Sequence, residues 1–332
     1  MTAGRPPSIS AVIATARRRG PLERCVDAVL ADPGLAELVV VVDGGRDGSL
    51  EWVRARGAQD ARVRTVWREG IGAPRARTAG VQEASGEVVL FLDDDVVAGP
   101  GLATGHARHH RDRPDLVVLG YMPVSLPPAR RPGQVATYLY AQEYEEMCRR
   151  YERDPAAVLG DLWMGNVSVR RKHLLRVPPS SEAYGTIWYH EDRDFGLRLR
   201  TGGLVGRFDR SLAAEHHHER SLAGFAAGAR SQGEGHVALS ALHPGAVGPL
   251  DLERFSAGVP GPVRRVLRFA RRPRARHLVR AGLLGTAHAA GRAHLWPAET
   301  AAARVLRRVE QQQGAFAEAA RRGYRGTAAD DR

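Results

Sequence analysis

Residues 8–15, 38–43 and 87–92 form short, nearly unbroken apolar runs rich in valine, isoleucine and leucine. Such runs predict strands buried on both faces. A fourth, shorter strand is predicted over 62–67. Between the strands lie stretches of helical period. Residues 22–31 set Leu22, Val26, Val29 and Leu30 on one face, and 50–56 and 73–84 also read as helices. Pro74 falls in the first turn of the last, where its missing N–H costs nothing. Strands alternating with helices predict an α/β fold of Rossmann-like type, with a doubly wound, mostly parallel sheet. Ligands on such sheets bind beyond the carboxyl ends of the strands. Three predicted strands end there in polar side chains: Thr15, Asp43 and Asp93.

The second half is less regular. Strands are predicted over 116–124 and 163–169. Helices are predicted over 137–153 and over 191–201, the latter stopped by Gly202-Gly203. Residues 243–262, rich in glycine and proline, read as a linker. From 263 onward the chain is helical, arginine-rich and alanine-rich. Residues 254–298 contain no acidic side chain, and Val263, Val266, Leu267 and Ala270 share one helical face. Such a helix can lie on anionic lipid or pack on its own domain with its arginines in water.

Charge sharpens the picture. The chain has 332 residues and a formal net charge of +12, which favours anionic partners: nucleotides, nucleic acid or a membrane surface. Two distant cysteines, Cys25 and Cys148, suggest neither a disulfide framework nor a zinc site. The N-terminal residues lack the apolar core of a signal peptide. No run approaches the roughly 20 apolar residues of a spanning helix. The expectation is a cytoplasmic protein, at most peripheral at the inner face of the membrane.

Asp93-Asp94-Asp95 ends the apolar run 87–92. Three carboxylates at the end of a buried strand repel one another and cost desolvation energy, so a cation is expected beside them. Strand alternation points Asp93 and Asp95 the same way, an arrangement suited to a divalent ion that carries a phosphate-bearing ligand. A solvated acidic turn before Gly99-Pro100-Gly101 is the plainer alternative.

Further motifs follow in order: Ala14-Thr15, Asp43 before Gly44-Gly45-Arg46-Asp47-Gly48-Ser49, Arg77-Thr78, Gly165-Asn166, Glu191-Asp192 and His216-His217-His218. Over about residues 8–235 this series resembles the inverting nucleotide-sugar glycosyltransferases of family 2, which have the GT-A fold. The chain departs from the family pattern at Ala14, where proline is usual, and at Thr78, where asparagine is usual. The resemblance implies a glycosyltransferase domain over 1–242, with a nucleotide-binding half at about 8–95 and an acceptor half at about 96–242. The linker 243–262 and a basic helical extension over 263–332 follow it. It implies that Asp95 ligates Mn²⁺ or Mg²⁺, aided by Asp93 and by His216 and His218. Imidazole suits Mn²⁺ better than Mg²⁺. Thr15, Asp43, Arg77, Asp93 and Asp94 would hold the nucleotide, with UDP or TDP favoured by a carboxylate at Asp43. Gly165 and Asn166 would face the acceptor or donor sugar. Asp192 would be the general base, with Glu191 in support. The implied partners are a nucleotide-sugar donor and a sugar, lipid-linked, peptide or small-molecule acceptor. Peripheral membrane contact through the basic C-terminal helices is compatible with this; nucleic acid is not expected.

Alternatives remain at this level. Gly70-Ile71-Gly72 followed by Asp93 has the spacing of a dinucleotide-dependent oxidoreductase, although Arg75 stands where a small third residue belongs. A catalytically degenerate nucleotide-binding or membrane-surface protein is another. His106, His109 and His110 are expected at the surface or on the acceptor side.

Overall fold

Residues 38–42 are apolar at every position, so the strand they form has no face to offer water and belongs inside a sheet. In the computed structural model, which describes residues 5–324, it lies there. The first four residues of the N-terminal stretch and the last eight of the expected 263–332 extension fall outside the described residues.

The chain runs β1 (Ile9–Thr15), α1 (Arg19–Leu30), β2 (Leu35–Asp43), α2 (Ser49–Gln59), β3 (Val63–Arg68), α3 (Ala73–Glu83), β4 (Val88–Asp93), β5 (Val96–Ala98), α4 (Leu102–His109) and β6 (Leu116–Tyr121). It continues through α5 (Val135–Arg153), α6 (Ala157–Gly160), β7 (Asn166–Arg170), α7 (Arg171–Leu174), α8 (Glu191–Thr201) and β8 (Val205–His216). Helices α9 (Leu222–Leu242), α10 (Pro244–Val247), α11 (Gly261–Ala270), α12 (Pro273–Arg292) and α13 (Trp296–Arg321) complete it.

Eight strands form one sheet in the order β3-β2-β1-β4-β7-β6-β8-β5. The first four are parallel. Beyond β4 the sheet is mixed: β7 is antiparallel to β4 and β6, and β5 to β8. Side chains of β1 and β2 divide between two cores. Ile9, Ala11, Ile13, Leu38, Val40 and Val42 face one, and Val12, Val39 and Val41 the other, as the period of two requires. Strand β8 has no such signature. Its middle reads Arg207-Phe208-Asp209-Arg210-Ser211, and its pairing with β6 shifts between Gly120 and Tyr121.

Register sets the site. Ala14 pairs with Asp93, Thr15 with Val42, Leu92 with Asn166 and Val96 with His216. The ends of β1, β2 and β4, the start of β7 and the end of β8 therefore meet at one edge of the sheet.

Two compact units account for the chain. The first comprises Met1–Ser125, Tyr144–Glu182 and Asp192–His218 and holds the sheet; the second comprises Leu126–Glu143, Ala183–Glu191 and Glu219–Arg332. The second unit is helical. Gly233 on α9 and Gly314 on α13 let these helices approach so closely that a Cβ on either would strike the facing backbone. Residues 243–262, expected as a linker, carry α10, and Leu250, Leu252 and Phe255 pack with Val237, Ala315 and Ala319. The apolar face of α11 is also covered, since Val263, Val266, Leu267 and Ala270 pack with Val279, Leu283 and Val309.

Candidate active site

Strand β4 stops at Asp93, and the alternation expected for Asp93 and Asp95 stops with it. In the turn that follows, Asp94 and Asp95 share one cation. Arg18 donates from Nη1 to Asp94 at 2.8 Å and from Nη2 to Asp95 at 2.7 Å. Thr15 Oγ1 donates to Asp94 at 2.7 Å. Asp93 turns elsewhere and accepts from Arg77 on α3 at 2.7 Å. Burial raises Asp94 to about 6, against the pull of Arg18 and Thr15. Burial acts on Asp95 too, but His216 and Arg18 outweigh it and hold Asp95 below the ordinary carboxylate range.

Pairing of β5 with β8 brings the histidines to the aspartates. His216 Nε2 lies 3.3 Å from Asp95 Oδ1. One ligand atom each from Asp95, His216 and His218 lie within 4.8 Å of one another, and the two imidazoles are 4.9 Å apart at their centroids. His217 points toward Glu215, at 3.7 Å. One carboxylate oxygen and two imidazole nitrogens fit Mn²⁺, which accepts imidazole more readily, better than Mg²⁺, which holds to oxygen ligands. Asp93, expected to share the metal, is not part of this cluster.

The residues expected to hold the nucleotide are placed as follows. Asp43 ends β2 and accepts backbone amides on both oxygens, from Ile71 and Gly72, each at 2.7 Å. It thus fixes the loop that enters α3. Thr15 and Arg77 face Asp94 and Asp93. Thr78, where the family pattern has asparagine, bonds Pro74 and Ser180.

Gly165 and Asn166 differ in role. Gly165 has φ +121°, and a Cβ there would sit 2.7 Å from Asp93 Oδ2 and 2.9 Å from Met122 Sδ. Only glycine lets β7 pass this close to the aspartate. Asn166, expected toward a sugar, turns its side chain into the core. Its Oδ1 meets His106 Nε2 at 2.9 Å, and its Nδ2 donates to the Leu212 carbonyl at 2.9 Å. His106 and His110 both meet Ser168 Oγ at 2.8 Å. Both rings are fully buried, which corrects the expectation of surface histidines. The helix α4 that carries them packs this face against the sheet, and burial lowers them to about 4 and about 3. Only His109 is partly exposed, paired with Asp209 at 2.7 Å.

Asp192 lies in the first turn of α8. It accepts the Arg193 amide at 2.9 Å and the Met164 amide at 3.4 Å. Desolvation pushes it up to about 6; Arg77 pulls it down and Asp93 pushes it up. Asp192 therefore feels both members of the Arg77–Asp93 pair. Glu191, its expected support, opens the same helix and belongs to the second unit.

Arg18 escaped the sequence reading. Its signal is the run Arg17-Arg18-Arg19 after β1, but nothing in three like residues says which one faces the aspartates.

Comparison with known proteins bears on family and fold. The model of the family "Glycosyl transferase family 2" matches residues 10–177, half of the chain. Validoxylamine A glucosyltransferase of Streptomyces hygroscopicus subsp. limoneus is 29% identical over 242 residues, covering 65% of this chain and 53% of that protein. The uncharacterized glycosyltransferase YfnE of Bacillus subtilis (strain 168) is 23% identical over 234 residues, covering 56% of this chain and 58% of its own. The chain spans about half the length of these curated relatives. Among solved structures, the mannosyltransferase PcManGT from Pyrobaculum calidifontis, in complex with GDP-Man and Mn²⁺, superposes with a TM-score of 0.56 at 15% identity, over 93% of this chain and 87% of that one. The fold is thus the GT-A arrangement. The dinucleotide alternative falls, because the loop Gly70-Ile71-Gly72 follows β3 and is held by Asp43. With the family model covering half of the sequence and the fold in agreement, the chain belongs to glycosyl transferase family 2.

Proposed function

We propose that this chain transfers a sugar from a nucleoside diphosphate to an acceptor hydroxyl, with inversion and with a divalent metal ion, Mn²⁺ before Mg²⁺. One observation carries the reading: Asp95, His216 and His218 converge at the same sheet edge where Asp192 stands beside Arg77 and Asp93. A bound divalent ion, held by Asp95, His216 and His218, would neutralise the charge of the departing diphosphate.

The protein's own groups do the rest. Asp192, ionised above about pH 6, accepts the acceptor's hydroxyl proton. The acceptor oxygen bonds to the anomeric carbon as the bond from that carbon to the diphosphate oxygen breaks, its electron pair leaving on the phosphate. One displacement inverts the anomeric centre. Arg77, paired with Asp93, adds fixed positive charge beside the reacting region. Asp43 holds the β3–α3 loop and retains acceptor capacity beyond its two amide bonds, which supports a UDP- or TDP-sugar as donor.

Product configuration tests the reading. With a donor sugar that the enzyme accepts, NMR of the product should show the anomer opposite to the donor's. Asp192→Asn should keep nucleotide affinity and lower kcat by ~10²–10⁴-fold, the worth of a general base. Retained configuration, or full turnover by Asp192→Asn, contradicts the assignment.

A further inference from the structure

Residues 161–165, between α6 and β7, form neither helix nor strand, yet they touch two groups of the candidate site. The Gly165 carbonyl accepts the Asp93 amide at 3.3 Å, and the Met164 amide donates to Asp192 Oδ2 at 3.4 Å. Irregular segments are more mobile than the elements they connect, but this one is tied down at its first residue. Arg150 Nη1 lies 2.7 Å from Asp161 Oδ2, and Arg193 Nε lies 3.0 Å from Oδ1. Arg193 Nε also donates to the Gly160 carbonyl at 2.8 Å. The buried Tyr151 donates its hydroxyl to the Asp161 carbonyl.

Arg193 is the residue after Asp192, so this segment and the start of α8 are joined twice: Met164 to Asp192, and Asp161 to Arg193. The first tie is long for an N–H···O bond, whose usual length is about 2.9–3.0 Å. The second is an ion pair whose side chains are 24% and 13% exposed, and the same Nε reaches the Gly160 carbonyl. One turn further along α8, a Cβ on Gly196 would sit 2.5 Å from the Leu159 carbonyl oxygen and 2.8 Å from Leu162 Cβ. The helix thus lies directly against the chain on either side of Asp161. Asp192 also feels Arg77 from α3 and Asp93 from β4, and its charge acts on Tyr151 of α5.

We propose that Asp161 is a positioning residue: through Arg193 it fixes the start of α8 against residues 161–165 and so sets where the Asp192 carboxylate stands. The inference rests on the reading of Asp192 as the base. A base must come within about 2.6–3.2 Å of the oxygen whose proton it takes, and a misplacement of about 1 Å costs up to ~10²-fold in rate. Asp161, Arg193, Met164 and Asp192 all lie in the first unit. Arg150 plays the lesser part, because its side chain is 51% exposed and solvent screens its pair with Asp161.

NMR of the full chain labelled with ¹⁵N at methionine tests it without any substrate. The chain has four methionines, and Met164→Leu identifies the Met164 amide signal. In the wild type that signal should move as pH passes through about 6, following the carboxylate it bonds, and the movement should vanish in Asp192→Asn. Asp161→Asn keeps the backbone carbonyl that Tyr151 uses, and it should remove most of the pH response. Arg193→Gln breaks the same tie from the other end and should do likewise, whereas Arg150→Gln should leave the response intact. In turnover, Asp161→Asn should lower kcat about tenfold with KM nearly unchanged, and should lower it no further in Asp192→Asn. A full Met164 response in Asp161→Asn and Arg193→Gln overturns the proposal. So does an equal loss in Arg150→Gln, which would mark general loosening of the segment, or an undiminished kcat loss in the Asp192→Asn background. Full turnover by Asp192→Asn is a separate failure: it removes the base assignment, while the Met164 signal still reports whether Asp161 places the carboxylate.

Discussion

Arg18 neutralises the carboxylates among which the proposed metal ion would bind. Its guanidinium spans Asp94 and Asp95 and offsets the repulsion that three successive aspartates create. Arg18 meets Asp95 at Oδ2, whereas His216 lies 3.3 Å from Oδ1, so the arginine's positive charge would weigh against a cation bound on the histidine side. Arg18→Gln should therefore lower the melting temperature of the metal-free protein, tighten Mn²⁺ binding and enlarge the thermal shift that Mn²⁺ produces. Calorimetric titration showing weaker Mn²⁺ binding in Arg18→Gln would mean that Arg18 supports the ion instead of holding its place. With Asp192 as the proposed base, its ionisation gives the pH dependence of the reaction. Its carboxyl ionises near 6 because burial disfavours the charge, and only the ionised form takes a proton. The value of kcat/KM should rise with pH through about 6, and that limb should vanish in Asp192→Asn. A rate independent of pH between about 5 and 8 would place the base elsewhere.

At the scale of elements, α4 and β7 are joined by the His106–Ser168–His110–Asn166 network. Both histidines are held neutral by burial. Above pH 6.5 neither the folded nor the unfolded chain protonates them, and the full stability is present. As pH falls from 6.5 to about 4 the unfolded chain takes up protons that folded His106 refuses. Stability should drop across that window, by about 3 kcal/mol for His106 at ~1.4 kcal/mol per unit. His106→Gln should be less stable at neutral pH but show a shallower acid slope. An identical slope would show that another group governs the transition.

How far sequence reveals structure varies between these elements. Strands β1, β2 and β4 are legible because burial on both faces writes an apolar run. Strand β8 is not: it is partly exposed, charged and irregular in register, yet it delivers His216. The turn after β4 explains the other differences. A period of two assigns Asp93 and Asp95 to one side, but the strand ends at Asp93 and the next two residues follow turn geometry. Arg18 is hidden for a similar reason. The turn that puts Arg17 at φ +57° aims Arg18 at the aspartates, and composition carries no trace of it. Asn166 lies in a motif that reads as a ligand, while its side chain completes a buried network whose partners are distant in sequence.

At the scale of the whole molecule, the net charge of +12 is distributed differently in the two units. In the first unit, Arg18 bridges Asp94 and Asp95 and Arg77 pairs with Asp93 at the sheet edge. In the second unit, arginines around α12 outnumber their partners.

The central claim is a metal-dependent nucleotide site built on Asp95, His216 and His218. Thermal unfolding of the wild-type chain and of Asp95→Ala, each with UDP, TDP and GDP and with or without Mn²⁺, tests it most directly, because a ligand bound only by the folded state raises the melting temperature. The expected result is a rise for the wild type that requires Mn²⁺ together with a nucleoside diphosphate, greatest with UDP or TDP, and its loss in Asp95→Ala. A nucleotide-induced rise that is indifferent to Mn²⁺, or one that survives in Asp95→Ala, would contradict it.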